Sequence, residues 1–135
     1  MKNLLNFSII LFLITIFGCD DNVEIDKRIA IKYKDTEQFS ALSIHFDEVI
    51  EDSRCREGWF CIWQGRYRVS LIISDGEKQE SYIVTNLPKS PVDTNTVNFE
   101  DYTIELISLN SSPGGDKQFD LEDYILELRI TRDPN

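Results

Sequence analysis

Two kinds of side chain crowd into one short stretch of this sequence, and they define the chemistry open to it. Positions 52–68 read DSRCREGWFCIWQGRYR. Arg54, Arg56, Arg66 and Arg68 are four of the seven arginines in the chain, and Trp59, Phe60, Trp63 and Tyr67 lie among them. A guanidinium offers a planar fork of donors to carboxylates, and aromatic rings add large apolar faces; both are enriched where proteins bind partners. On a strand, Arg66 and Arg68 share one face about 7 Å apart. Arg54, Arg56, Trp59, Arg66, Tyr67 and Arg68 therefore form a candidate patch for an acidic protein surface, a carboxylate ligand or a glycan. The competing use of these arginines is cross-strand pairing with Glu80, Glu105 or Glu127.

Catalysis has fewer groups to draw on. The one histidine, His45, falls on the polar side of an alternating segment. Adjacent carboxylates such as Asp47–Glu48 and Glu51–Asp52 are common in so acidic a chain and mark no specific acid–base pair. Neither a nucleophile motif nor a phosphate-binding glycine loop is present. The expectation is a non-enzymatic protein with no cofactor; the alternative is a small envelope hydrolase or a protease inhibitor presenting a rigid loop. Asp116, Asp120, Glu122 and Asp123 offer hard oxygen ligands to calcium after a Gly-Gly turn, at a spacing unlike that of an EF-hand loop.

The first residues decide the compartment. After Met1 and Lys2, the run Leu4–Phe17 carries no charge. At about 14 residues it is short of the roughly 20 that a membrane-spanning helix needs, and it has the form of a signal peptide. Ile16-Phe17-Gly18-Cys19 resembles the lipobox of bacterial lipoproteins. That resemblance implies cleavage after Gly18 and a thioether-linked diacylglycerol, with palmitate-like acyl chains, on Cys19. Each buried methylene contributes about 0.8 kcal/mol, so two or three chains anchor the protein durably.

Residues 20–27 (DDNVEIDK) form a polar tether, and their acidity resembles the surface-export signal of Bacteroidota lipoproteins. The expected location is the cell envelope, at the outer membrane or cell surface rather than the inner membrane. The expected organisation is a signal peptide at 1–18, a lipidated tether at 19–27 and a single domain at 28–135. Removing residues 1–18 costs only Lys2, so the mature chain carries 13 Lys+Arg against 24 Asp+Glu, a net charge of −11. Such a surface repels nucleic acid and anionic headgroups. The expected partners are the membrane through the lipid, and an envelope protein or glycan.

With Cys19 modified, Cys55 and Cys61 remain, and outside the cytoplasm such a pair normally oxidises. The surrounding residues resemble a motif of small bacterial envelope proteins, D-S-R-C-P-x-x-x-x-C-x-W-x-G, which Asp52, Ser53, Arg54, Cys55, Cys61, Trp63 and Gly65 match. Arg56 stands where the motif has proline. Tyr102-Thr-Ile-Glu-Leu, with Pro113 after it, is similar to a later strand of that group. The resemblance covers about a quarter of the mature chain; it implies a β domain with a disulfide loop and carries no activity with it.

The elements that must hold this loop are patterned as strands. Ile29, Ile31 and Tyr33 alternate with polar residues, as do Leu42, Ile44 and Phe46, after which Val49 and Ile50 break the phase as a bulge does. Tyr67, Val69, Leu71 and Ile73 form an inward row. Ser74-Asp75-Gly76-Glu77 is a tight turn, and Glu80–Thr85 pairs back across it. Residues 86–96 and 110–120 are loops. Tyr102–Leu106 and Tyr124–Ile130 are further strands, although Leu121–Arg129 also passes as a short helix. The expected fold is all-β: a small antiparallel sandwich of six to seven strands, Ig-like or a partly open barrel, with one disulfide loop.

Overall fold

The computed structural model describes residues 25–55, 59–89, 93–111 and 120–132. Among them are eight strands: β1 (Ile25–Lys32), β2 (Thr36–Phe39), β3 (Leu42–Asp52), β4 (Tyr67–Ser74), β5 (Gln79–Thr85), β6 (Thr96–Phe99), β7 (Tyr102–Ser111) and β8 (Tyr124–Arg132). They form two four-stranded antiparallel sheets, ordered β1-β8-β7-β6 and β2-β3-β4-β5.

Period-two patterning explains which face of each sheet is dry. Val69, Leu71 and Ile73 of β4 are buried and face Leu126, Leu128 and Ile130 of β8, with Leu42, Ile44 and Phe46 of β3 and Ile104 of β7 filling the same core. The expected phase break in β3 is present as register shifts between Phe46 and Glu48 and between Val49 and Glu51. A second shift in β7, between Leu106 and Ser108, turns Leu109 inward in place of Ser108. Each bulge inserts an extra residue, and so moves the buried row by one position.

The eight strands exceed the expected six to seven, and the short β2 and β6 are the ones the alternation did not mark. Their hairpin turns carry no glycine. Ser40 and Glu100 adopt the left-handed conformation instead, at φ 54° and 50°. By contrast, Gly76 makes the expected turn at φ 94°, with the Asp75 carboxylate accepting from the backbone N–H groups of Glu77 and Lys78. The Leu121–Arg129 helix is not formed: only Leu121–Asp123 makes a 3-10 turn, and β8 follows, because Tyr124, Leu126, Leu128 and Ile130 alternate into the core.

β1 also begins earlier than the tether boundary at residue 27 allows. Ile25 and Ile29 pack against the core and Asp26 binds Arg129, so residues 25–27 belong to the fold. The sheet order is that of an up-and-down meander with β8 brought back beside β1, which departs from the Greek-key connections of an Ig domain.

Both seams between the sheets are laced by the crossing chain. At one, Tyr33 N–H donates to the Tyr124 carbonyl, while Lys34 and Asp35 bond to the backbone of Phe46. At the other, Thr85 N–H donates to Thr94 and Leu106 N–H to Asn95. The expected partly open barrel therefore describes this sandwich better than the Ig-like form.

Candidate functional site

The β3–β4 loop starts from a clasp of main-chain and side-chain bonds. Ser53 N–H donates to the Arg66 carbonyl at 2.8 Å, and the Ser53 hydroxyl bonds both the carbonyl and the N–H of Arg66. Asn86 adds a second tie, donating to the Gly65 carbonyl at 3.1 Å and accepting from Tyr67 N–H at 2.8 Å. Gly65 is required by proximity: a Cβ there would stand 2.2 Å from the Arg54 Cα. Past this base, Cys55 and Cys61 are joined as the expected disulfide, with an S–S distance of 2.05 Å. The Cys55 sulfur rests 3.2 Å from the Trp59 carbonyl oxygen; lacking a proton in the disulfide, it makes a contact and not a hydrogen bond.

Arg54 is spent on this architecture. Its Nε and Nη2 grip the two Asp52 oxygens at 2.9 and 2.7 Å, its Nη1 donates to the Leu109 carbonyl, and its guanidinium lies 4.7 Å from the Tyr67 ring centroid. The Tyr124 hydroxyl also donates to Asp52, at 2.8 Å. Burial works against the Asp52 charge, but the Arg54 side chain and N–H and the Tyr124 hydroxyl outweigh it, holding the carboxyl below its ordinary range. Burial and the neighbouring carboxylate push the Tyr124 phenol far upward, so it stays a donor.

Arg66 and Arg68 point out from the sheet as a pair, yet they are not free. Both face Asp93: Arg66 donates to it at 2.7 Å, while the buried Arg68 Nε stands 3.4 Å away as an ion pair without a hydrogen bond, and Glu51 stands 4.0 Å from Arg66. The expected partners Glu80, Glu105 and Glu127 go elsewhere: Glu80 to Lys78, Glu105 to Arg129, and Glu127 to Ser108 and Asn110. Asp93 wins because the chain after β5 bonds back to Thr85 through Thr94, which carries its neighbour across the outer face of β4.

The six-residue patch expected from sequence is thereby divided. Tyr67 is buried at 6% exposure, and Arg54, Arg66 and Arg68 are held by carboxylates. Arg56 lies outside the described residues. Trp59 alone of the six is both described and open, at 73%. It is joined by Phe60 at 96%, Ile62 at 91% and Trp63 at 58%. Trp63 is held in place by its indole N–H, which donates to the Ser53 carbonyl at 3.0 Å. The exposure of Phe60 and Ile62 was not foreseen. Its sequence signal is their position on either side of Cys61, Phe60 inside a disulfide ring too small to fold back on the core and Ile62 just after it.

Of the calcium candidates, Asp116 lies outside the described residues. Asp120, Glu122 and Asp123 are exposed on the 3-10 turn, where the Asp120 carboxylate accepts from Glu122 N–H. Among the described residues no three His, Cys, Asp or Glu side chains gather as metal ligands. His45 lies on the outer face of β3, its Nδ1 3.0 Å from the Thr36 hydroxyl. Cys19 and the lipobox fall outside the described residues, among which no helix is long and apolar enough to cross a membrane. Comparison with family models, with curated proteins and with solved structures finds no match to this chain.

Proposed function

We propose that this chain is a lipid-anchored protein of the bacterial cell envelope whose β domain is a non-enzymatic binding module, making contact through the tip of its disulfide-closed loop. The supporting observation is the exposure of Trp59, Phe60, Ile62 and Trp63 together on a loop whose base is fixed by hydrogen bonds. Single exposed apolar side chains need no explanation, but four within five positions concentrate exposed apolar area on one loop. Each such side chain returns up to about 1.5–3 kcal/mol when fully buried, a gain that offsets part of the cost of association. A rigid loop also loses little conformational freedom on binding. The arginines serve as the frame of this surface rather than as its contact groups. The anchor rests on the lipobox residues Ile16–Cys19.

Two measurements test the two halves of the proposal. Cys19→Ala should release the protein from membranes or leave an uncleaved precursor; normal processing with full membrane retention removes the anchor. For binding, residues 20–135, which contain every described strand, are compared with a Trp59→Ser/Phe60→Ser version and an Arg66→Glu/Arg68→Glu version in affinity capture from envelope extract. The tip version should lose the partner, whereas any folded arginine version keeps it. A partner held by the tip version removes the tip from the account.

A further inference from the structure

The exposed tip and the first strand residue lie at opposite ends of the sandwich. Ile25 pairs with Arg132 and Arg132 with Tyr102, whose ring meets Phe39; the β6–β7 turn is at this same end. Seven residues along β1, Lys32 pairs with Ile125, and the next residue bonds to Tyr124, whose hydroxyl reaches Asp52 at the base of the loop. Seven steps of an antiparallel strand cover about 24 Å, which separates Ile25 from the base of the loop. On the reading that Cys19 carries the lipid, the six residues from Cys19 to Ile25 reach at most about 22 Å when fully extended. With β1 rising from the membrane on this short tether, the loop at the far end of the sandwich faces away from the bilayer that holds the lipid.

We infer that the tip docks into an apolar cleft with a basic rim on a protein partner, located on the side of the domain away from the anchoring membrane. This inference rests on the lipid-anchored binding reading above. Charge selects the partner's rim: the mature chain is strongly acidic, and the exposed Asp120, Glu122 and Asp123 stand at the same end as the loop. The described arginines of the loop already pair with Asp52 and Asp93 and Lys34 with Asp47, which sets the exposed Lys32 at this end against the exposed Asp120, Glu122 and Asp123. An anionic bilayer is repelled by that balance. A glycan site joins stacking rings to an array of hydrogen-bonding groups, whereas here Phe60 and Ile62 offer none, the Trp63 indole N–H is engaged by Ser53, and the Trp59 indole and Gln64 are the polar groups beside them. An apolar cleft accepts all four side chains.

The test uses the full-length lipidated protein in its own cells, with a photo-crosslinking residue in place of Phe60 or, at the opposite end, of Gln38. The expected result is a discrete protein adduct from position 60 and none from position 38. The partner, identified from the adduct and purified, should bind residues 20–135 directly. Affinity should fall at least about tenfold with Trp59→Ser, and should weaken as salt rises from about 50 to about 500 mM. Adducts to lipid, sedimentation of residues 20–135 with phosphatidylethanolamine–phosphatidylglycerol vesicles, absence of any adduct, or indifference of the purified partner to Trp59→Ser or to salt would each overturn the inference. Repeating the crosslink in Cys19→Ala separates the two readings. The same adduct from a released protein supports the partner and leaves the anchor intact; the same adduct from a Cys19→Ala protein still on membranes removes the anchor and, with it, the orientation.

Discussion

The Tyr124 hydroxyl donates a 2.8 Å hydrogen bond to the Asp52 carboxylate, joining residues 72 apart in sequence and on opposite sheets. Arg54 closes the arrangement by gripping Asp52 and reaching Leu109 of β7. The loop that carries the apolar tip is thus bolted to both halves of the sandwich. A hydrogen bond to a charged group contributes about 1.5–3 kcal/mol, so Tyr124→Phe should lower stability by about that amount in urea unfolding, with the slope unchanged. A loss within experimental error would show that the two sheets do not depend on this tie.

The same carboxylate sets a response to acid. The folded-state pKa of Asp52 lies below its ordinary value, so the stability it contributes is fully present above the ordinary carboxylate range and is lost as pH falls through the depressed value. Unfolding free energy should therefore decline below about pH 4. Asp52→Asn should be less stable at neutral pH and should show a shallower decline in acid. Parallel pH profiles for the two proteins would assign the acid response to other groups.

Gly65 packs against the Arg54 backbone, which cannot yield as a flexible side chain does. Gly65→Ala should cost about 1–3 kcal/mol, in the range of overpacked sites. Thermal melts check this, and an unchanged melting temperature would mean that the loop relaxes freely.

Breaking the disulfide opens the ring while its base stays clasped by Ser53 and Asn86. The ring between Cys55 and Cys61 is small, so a Cys55→Ser/Cys61→Ser variant should lose about 2 kcal/mol while keeping its sheets. Circular dichroism should retain the β signal, and partner affinity should fall because the tip is no longer preorganised. Full affinity in this variant would count against a preorganised tip.

Strands with clean alternation were legible in the sequence. β4 and β8 alternate without interruption, and β3 declares its bulge through Val49 and Ile50. β2 and β6 were not legible, since four residues are too few for periodicity and their turns use Ser40 and Glu100 at positive φ without glycine. At the site, the disulfide follows from the spacing of Cys55 and Cys61, and the Asp52–Arg54 pair joins opposite charges two residues apart. The sharing of Arg66 and Arg68 by Asp93 does not follow from spacing, because it depends on where a long connection returns to the sheet. Nor does sequence alone tell which of six neighbouring aromatic and basic residues remain open; that is decided by Tyr67 turning inward and Arg54 folding over it.

The most direct test of the account is hydroxyl-radical footprinting of Trp59, Phe60 and Trp63 in intact cells and in the purified protein, with the exposed Ile50 and Ile83 as internal references. The account predicts strong labelling of all three aromatics in the purified protein and protection in cells, with the references unchanged. Equal labelling in both settings would mean that the tip stands in water where the protein works, and would contradict its role as the contact surface.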